Sequence, residues 1–294
     1  MEYWLRQNLF WYLAVSRPME NALNTIAIVG FPETGKTKIK EHLETPADLS
    51  FAFTELPGVV MLGRNTPSET ETYDFLLGRG KKSPFGIIAV ADASDLERQL
   101  YLAFQLIDLR LPLVLCITGE ARAKGVTIST ERLSSMIGVP VLSIPTSGDK
   151  LQSLITDWSA TDVEKVKRKP EHWRPSVALA NAYQHLDSQW IHKHLGLYTG
   201  ARLVEGLRLL TVPGAVEEYE VHPAYKSLLR YLDEAREILE EKNVNWTTVE
   251  VIQRSKWIGQ TFNSAVTRTA DASAMQDTDE KNWLKWWRGL FKAR

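Results

Sequence analysis

The most specific chemistry in the sequence lies in eight residues, Gly30-Phe31-Pro32-Glu33-Thr34-Gly35-Lys36-Thr37, which read G-x-x-x-x-G-K-T. Glycines at that spacing let backbone N–H groups curl round a phosphate. The lysine reaches the outer phosphate oxygens, and the threonine hydroxyl ligates Mg²⁺. Gly30, Glu33, Thr34, Gly35, Lys36 and Thr37 are therefore the candidate phosphate-binding residues.

Such a loop needs a strand in front and a helix behind. Ile26-Ala27-Ile28-Val29 supplies a short β-branched apolar run before it. Lys38 to Leu43 starts a helix whose positive N-terminal dipole faces the same anion. Further strands are expected at Leu49–Thr54, Gly86–Asp92, Leu113–Ile117 and Pro140–Ile144, with helices at Asp95–Leu109, Thr130–Ile137 and Lys150–Trp158. Apolar strands alternating with helices predict a parallel sheet covered on both faces. Past Ala160 the charged run Glu164–Pro170 reads as a solvated hinge, and nothing strand-like follows it. Val177–His194, Ala201–Leu210, Ala224–Lys242 and Thr247–Thr261 read as helices, the third with an apolar stripe of Leu228, Leu229, Leu232, Ala235 and Leu239. His192 and His194 fall on different helical faces with no carboxylate or thiolate cluster beside them, so a metal site there is disfavoured.

Composition narrows the classes. The 294 residues carry a net charge of −1, which gives no general field for nucleic acid. The single cysteine, Cys116, allows neither a disulfide framework nor a Cys-based metal site and fits a reducing, cytoplasmic setting. No apolar run reaches the roughly 20 residues needed to span a bilayer.

Two longer stretches resemble a known family. DASDLERQLYLAFQLIDLRLPLVL (Asp92–Leu115) and EARAKGVTISTERLSSMIGVPVL (Glu120–Leu142) are similar to the cytoplasmic GTPase domain of the bacterial ferrous-iron transporter FeoB. ARLVEGLRLL (Ala201–Leu210) and YLDEAREILEE (Tyr231–Glu241) are similar to the helical segment that couples that domain to the family's permease. The resemblance covers about Asn24 to Phe262 and stops where the permease would begin. It implies a P-loop NTPase (small-GTPase-like) α/β fold at 24–158 and an all-α helical domain at 159–262. It also implies Mg²⁺ with a guanine nucleotide as cofactor. In that frame Glu55-Leu56-Pro57-Gly58 stands for the family's Asp-x-Pro-Gly, giving Glu55 and Gly58 as nucleotide-site residues and Thr37 with Glu55 as Mg²⁺ ligands. Thr146 and Ser147 occupy the base-flanking loop.

The departures are as informative. Phe31 and Glu33 replace the two asparagines of the family loop, and Glu33 brings a carboxylate toward phosphate oxygens. Aligned on Glu120-Ala121, the guanine-reading positions are Cys116 and Gly119, neither of which replaces the usual Asn and Asp. The first switch loop does not fit between Leu43 and Glu55. The resemblance thus implies a degenerate module acting by binding in ferrous-iron transport. The alternative is an active P-loop hydrolase, a GTPase or relaxed-base NTPase, driving or gating uptake. The expected partners are an iron-transport membrane component, an anionic membrane surface or a second copy of the chain, at the inner face of the cell membrane.

The two ends carry their own signals. Residues 1–23 hold the aromatic run Leu9–Val15, which reads either as a docking segment or as an extension upstream of a start at Met19. Residues 263–294 open on a polar tether. They close on Trp283, Trp286, Trp287, Leu290 and Phe291 at helical spacing, with Lys285, Arg288 and Lys292 as a basic complement. That pattern matches an interfacial helix lying in the membrane plane; the alternatives are a helix docking its aromatic face on the protein's own core and the lead-in to a transmembrane segment.

Overall fold

The computed structural model describes residues 24–44, 51–79, 82–119, 125–144, 148–160 and 173–268. The expectations for the N-terminal extension, for the charged hinge, for Thr146 and Ser147, and for the tryptophan-rich tail fall outside these residues.

The strands β1 (Asn24–Gly30), β2 (Phe51–Glu55), β3 (Gly86–Asp92), β4 (Leu113–Thr118) and β6 (Val141–Ser143) form one parallel sheet. Its order is β2-β1-β3-β4-β6, with the phosphate loop leaving the second strand from the edge. Side chains alternate between the faces. Ile26 and Ile28, with Ile88, Val90, Val114 and Cys116, pack under α1 (Lys36–Glu44) and α5 (Gly148–Ala160). Ala27, Val29, Ile87, Ala89 and Leu115 face the opposite core. All seven residues of β3 are buried, which explains its unbroken apolar sequence. Gly86 is required where it stands, because a Cβ there would lie 2.8 Å from the Trp158 ring.

On the second face lie α2 (Pro67–Leu77) and α3 (Leu96–Asp108). Ten of the thirteen residues of α3 are buried. The sheet covers one side of this helix, and the C-terminal helices cover the other. Those are α6 (Val177–Leu186, continued by a wide π-turn to His194), α7 (Thr199–Thr211), α8 (Tyr225–Glu240) and α9 (Val249–Ala265). At the start of α7 the backbones nearly touch: a Cβ on Gly200 would sit 1.8 Å from the Leu109 carbonyl oxygen. One continuous apolar core therefore joins the sheet to the helical region.

Three details depart from the sequence reading. The helix α2 was not expected, although Thr66, Pro67 and Glu69 form an N-terminal signature: the Thr66 hydroxyl accepts the Glu69 N–H, and the Glu69 carboxylate accepts the Asn65 N–H. A two-stranded antiparallel ribbon joins β5 (Val126–Ile128) to β7 (Val266–Arg268), so one short strand does follow the helices. In α8 the stripe is Leu228, Leu232, Ala235 and Leu239, while Leu229 is 36% exposed because it lies about 100° off that line. Among the described residues no helix is long and apolar enough to cross a membrane. None of their His, Cys, Asp and Glu side chains form a group of three fit to hold a metal.

Candidate functional site

The phosphate loop is held rigidly on three sides. Gly30 abuts the neighbouring strand, where a Cβ would come within 2.3 Å of the Val90 carbonyl oxygen. Gly58 abuts the loop itself, where a Cβ would lie 2.7 Å from the Pro32 nitrogen. The Val59 N–H donates to the Gly30 carbonyl at 3.2 Å, so the Glu55–Gly58 turn is fastened along the loop. Thr34 is buried, and its hydroxyl donates to the Phe31 carbonyl at 2.9 Å.

Lys36, Thr37 and Glu55 lie close together at the end of the loop. Lys36 is buried, and its ammonium donates to the Phe31 carbonyl at 2.9 Å and the Gly30 carbonyl at 3.4 Å. Burial lowers its pKa, partly opposed by the Glu55 carboxylate. The Thr37 hydroxyl donates to the Glu55 carboxylate at 3.1 Å. A hydroxyl and a carboxylate brought together at the loop's end form an oxygen donor set suited to a hard cation such as Mg²⁺. Lys36 would supply the cation for phosphate oxygens. The phosphate half of a nucleotide and its Mg²⁺ thus fit the residues present. Glu33 is exposed and left-handed at φ 61°, a conformation glycine or asparagine adopts more readily. Gly35, at φ 88°, needs its glycine.

The base side is the weaker half of the site. Cys116 sits within β4 opposite Val90 and Leu142, fully buried, with its thiol pushed up to about 12 by burial. It faces the core and cannot meet a base. Thr118, two residues further, stands at the strand's end, and its hydroxyl donates to the Thr34 carbonyl of the phosphate loop at 2.8 Å. Gly119 follows at φ 71°, turning the chain out of the sheet. Neither Cys116 nor Gly119 presents a side chain that could read guanine, in keeping with the departures seen in the sequence.

A buried polar cluster escaped sequence reasoning. Glu205 of α7 is fully buried and receives four donated bonds and one further ion pair. Tyr73 Oη donates to it at 2.5 Å, Tyr219 Oη at 2.8 Å, and Arg208 through Nη2 at 2.8 Å and Nε at 3.2 Å; Arg79 closes on it at 3.0 Å. Burial alone would raise the Glu205 pKa, but the two arginines override it and hold the carboxyl down at about 2. Arg208 also grips Glu218 through both terminal nitrogens at 2.8 and 2.9 Å, and Arg64 bridges Glu218 at 3.0 Å and Asp74. Gln105 of α3 accepts the Leu62 N–H at 2.8 Å. The segment running from Gly58 through α2 is thereby locked to the helical region. A second buried group places Arg254 between Asp108 at 2.8 Å and Glu250 at 2.5 Å. The only sequence signal for the first group is Glu205 and Arg208 at i, i+3 inside an otherwise apolar helix.

Residues 40–158 match the model of the family described as ferrous iron transport protein B. The Helicobacter pylori Fe(2+) transporter FeoB is 28% identical over 198 residues, which is 55% of this chain and 30% of that protein. The Legionella pneumophila Fe(2+) transporter FeoB is 30% identical over 189 residues, 60% of this chain and 23% of that one. This chain therefore spans less than a third of the length of these relatives. The fold is that of solved FeoB domains. The GDP-bound S. thermophilus FeoB G-domain superposes with a TM-score of 0.66 at 18% identity, covering 83% of this chain and all of that one. The cytosolic domain of L. pneumophila FeoB gives 0.61 at 23% identity with the same coverage. A further S. thermophilus structure, bound to GDP·AlF4⁻ and K⁺, gives 0.65 at 19% identity, covering 82% of this chain and 99% of that one. The resemblance to FeoB seen in Asp92–Leu115 is borne out, as is the P-loop α/β fold with its helical region.

Proposed function

We propose that this chain is a FeoB-like module of ferrous-iron transport that binds the phosphates of a nucleotide with Mg²⁺, and that it acts by binding more than by turnover. The observation that carries the phosphate reading is the convergence of Lys36, Thr37 and Glu55 at the end of one loop. Lys36 would meet the outer phosphate oxygens. Thr37 and Glu55 would hold the cation, which supplies neutralisation of phosphate charge. Against turnover stands the six-residue connection between α1 and β2, which has no room for a further switch and its Mg²⁺ ligand. The carboxylate of Glu33 also faces the wrong charge. The guanine preference suggested by GDP in the solved relatives is weakened here, because Cys116 and Gly119 stand where an asparagine and an aspartate are expected.

A hydrolase remains the second reading, favoured by the intact Thr37–Glu55 pair. Titration of the purified protein with fluorescent GTP, GDP and ATP, with and without Mg²⁺, separates the two. Binding that requires Mg²⁺ but discriminates less than about tenfold between bases is expected, since a site lacking its reading acceptor leaves little to penalise the wrong base. Tight, GTP-selective binding with sustained phosphate release establishes the hydrolase instead.

We also propose that the segment from Trp283 to Arg294 holds the chain on the inner face of the membrane. Its basic residues contribute about 1 kcal/mol each near an anionic leaflet. The intact chain is expected to co-sediment with phosphatidylserine-containing liposomes, less so in high salt. Deleting Trp283–Arg294 should release it, and unchanged sedimentation of the deleted protein removes the tail as anchor.

A further inference from the structure

The two edges of the main sheet are finished differently. At one edge β6 (Val141–Ser143), which follows α4 (Thr130–Ile137), is only three residues long, and Pro140 stands immediately before it. Short strands and prolines are common ways of blunting an edge, because they leave little ladder for another segment to extend. The opposite edge, β2 (Phe51–Glu55), is five residues long, reads Phe-Ala-Phe-Thr-Glu and carries neither lysine nor proline. Its aromatic and β-branched residues favour further pairing.

The ladder to β1 uses half of the β2 backbone. The register runs from Asn24 opposite Phe51 to Ile28 opposite Glu55, and the Leu56 N–H donates to the Ile28 carbonyl at 3.0 Å. Alternate residues of a paired strand turn their N–H and C=O toward the neighbour. Ala52, Thr54 and Leu56 therefore face β1, while Phe51, Phe53 and Glu55 turn their backbone groups to the other side. Among the described residues no strand pairs with them there. The Phe51 and Phe53 side chains are buried in the core beneath α1, so the strand is held in place and its outward groups form a fixed template.

We propose that residues 9–15 of this chain, LFWYLAV, add to the edge as a sixth strand running antiparallel to β2. Three observations select this occupant. The first strand begins at Asn24 opposite Phe51, so the chain that precedes it enters the sheet beside this very edge. The seven residues carry no charge, include three aromatics, and span about 23 Å when extended, enough to cover all of β2. Finally, eight residues, 16–23, join the run to β1. Stepping past β2 means crossing two strand spacings, about 10 Å, which eight residues do readily, and Ser16-Arg17-Pro18 suits the turn. A parallel addition would have to travel back along the whole strand, and such a crossover takes a dozen residues or more. Antiparallel is the sense that the connection allows. This assignment stands whether or not the phosphate loop binds nucleotide.

The test uses the alternation of the ladder. Along the added strand every second N–H points at β2 and the others at solvent, so proline is tolerated at one phase and not at the next. Tyr12→Pro and Leu13→Pro are made singly in the full chain, and hydrogen exchange of the Phe53 and Glu55 amides is read. Both amides are expected to be protected in the parent. One proline variant should quicken their exchange about tenfold, the worth of one net hydrogen bond, and the other should leave it as it is. Ile28 exchange and the main unfolding transition should hold in both. Deleting residues 1–18 should release Phe53 and Glu55 fully, and a synthetic peptide of residues 7–17 should restore their protection. Equal release by the two prolines is what a docked helix gives, and it overturns the strand. Fast exchange in the parent, or protection that survives the deletion, removes residues 9–15 as the occupant. Protection that is lost on dilution together with a dimer seen by light scattering assigns the edge to a second copy instead.

Discussion

Glu205→Ala is expected to cost about 3–5 kcal/mol of folding stability, read as a lower urea midpoint, because it strands buried charges rather than removing one contact. The carboxylate is fully buried and receives bonds from Tyr73, Tyr219 and Arg208 as well as the Arg79 ion pair. Without it, Arg79 and Arg208 face each other with only Glu218 and Asp74 to balance them, both about one third exposed. Arg230→Ala, which breaks an exposed pair with Glu234, should change stability by less than about 0.5 kcal/mol. The same cluster gives a pH signature. The Glu205 carboxyl is held at about 2 in the folded chain, below its ordinary value of 4.5. A depressed folded pKa stabilises above the unfolded value and loses that contribution as the pH falls. The stabilisation is therefore complete above about pH 4.5 and fades toward pH 2, a range over which it amounts to about 3 kcal/mol. A Glu205→Gln protein should lack that acid limb. If its stability falls with acid in parallel with the parent, the cluster is not the source.

Lys36→Ala should weaken phosphate binding about 100-fold, the upper end of what a hydrogen-bonded charge supplies. Folding should be nearly unaffected, because the ammonium now rests on two loop carbonyls and its burial disfavours its charge. Glu33→Asn should act in the opposite direction on the same assay. It removes a carboxylate from beside the phosphates and relieves a left-handed backbone at φ 61°, worth about 1 kcal/mol in strain for an ordinary side chain. A fluorescence titration of the three proteins should rank Glu33→Asn tightest, the parent next and Lys36→Ala weakest. Equal affinities for Lys36→Ala and the parent would show that the loop does not hold phosphate.

Much of this was legible in the residues, and the reasons are physical. Long periodic segments such as Asp95–Leu109 and Val177–His194 lie where their apolar spacing puts them, because burial selects the period. The phosphate loop was legible because few other arrangements of glycine and lysine do its chemistry. Three-residue strands such as β5 and β7 carry no period at all, and their pairing spans more than a hundred residues. Glu205 was hidden because a glutamate beside an arginine on a helix usually marks a solvated face. Only the tertiary packing reveals that this one has no water.

The wrapping of α3 has a consequence for how the protein is made. That helix is buried on nearly every side, but its outer cover is encoded roughly a hundred residues downstream of its end, from Thr199 onward. At ordinary translation speeds of about 5–20 residues per second, the nascent sheet carries a bare apolar flank for roughly 5–20 seconds before its cover emerges. The ribosome therefore delivers a half-built particle whose uncovered flank, with Tyr101, is a ready substrate for chaperones. Synthesis that stalls between Asp108 and Thr199 would leave that flank open to aggregation, and the tightness of the Gly200–Leu109 contact means that nothing bulkier than the native backbone can stand in for the missing cover.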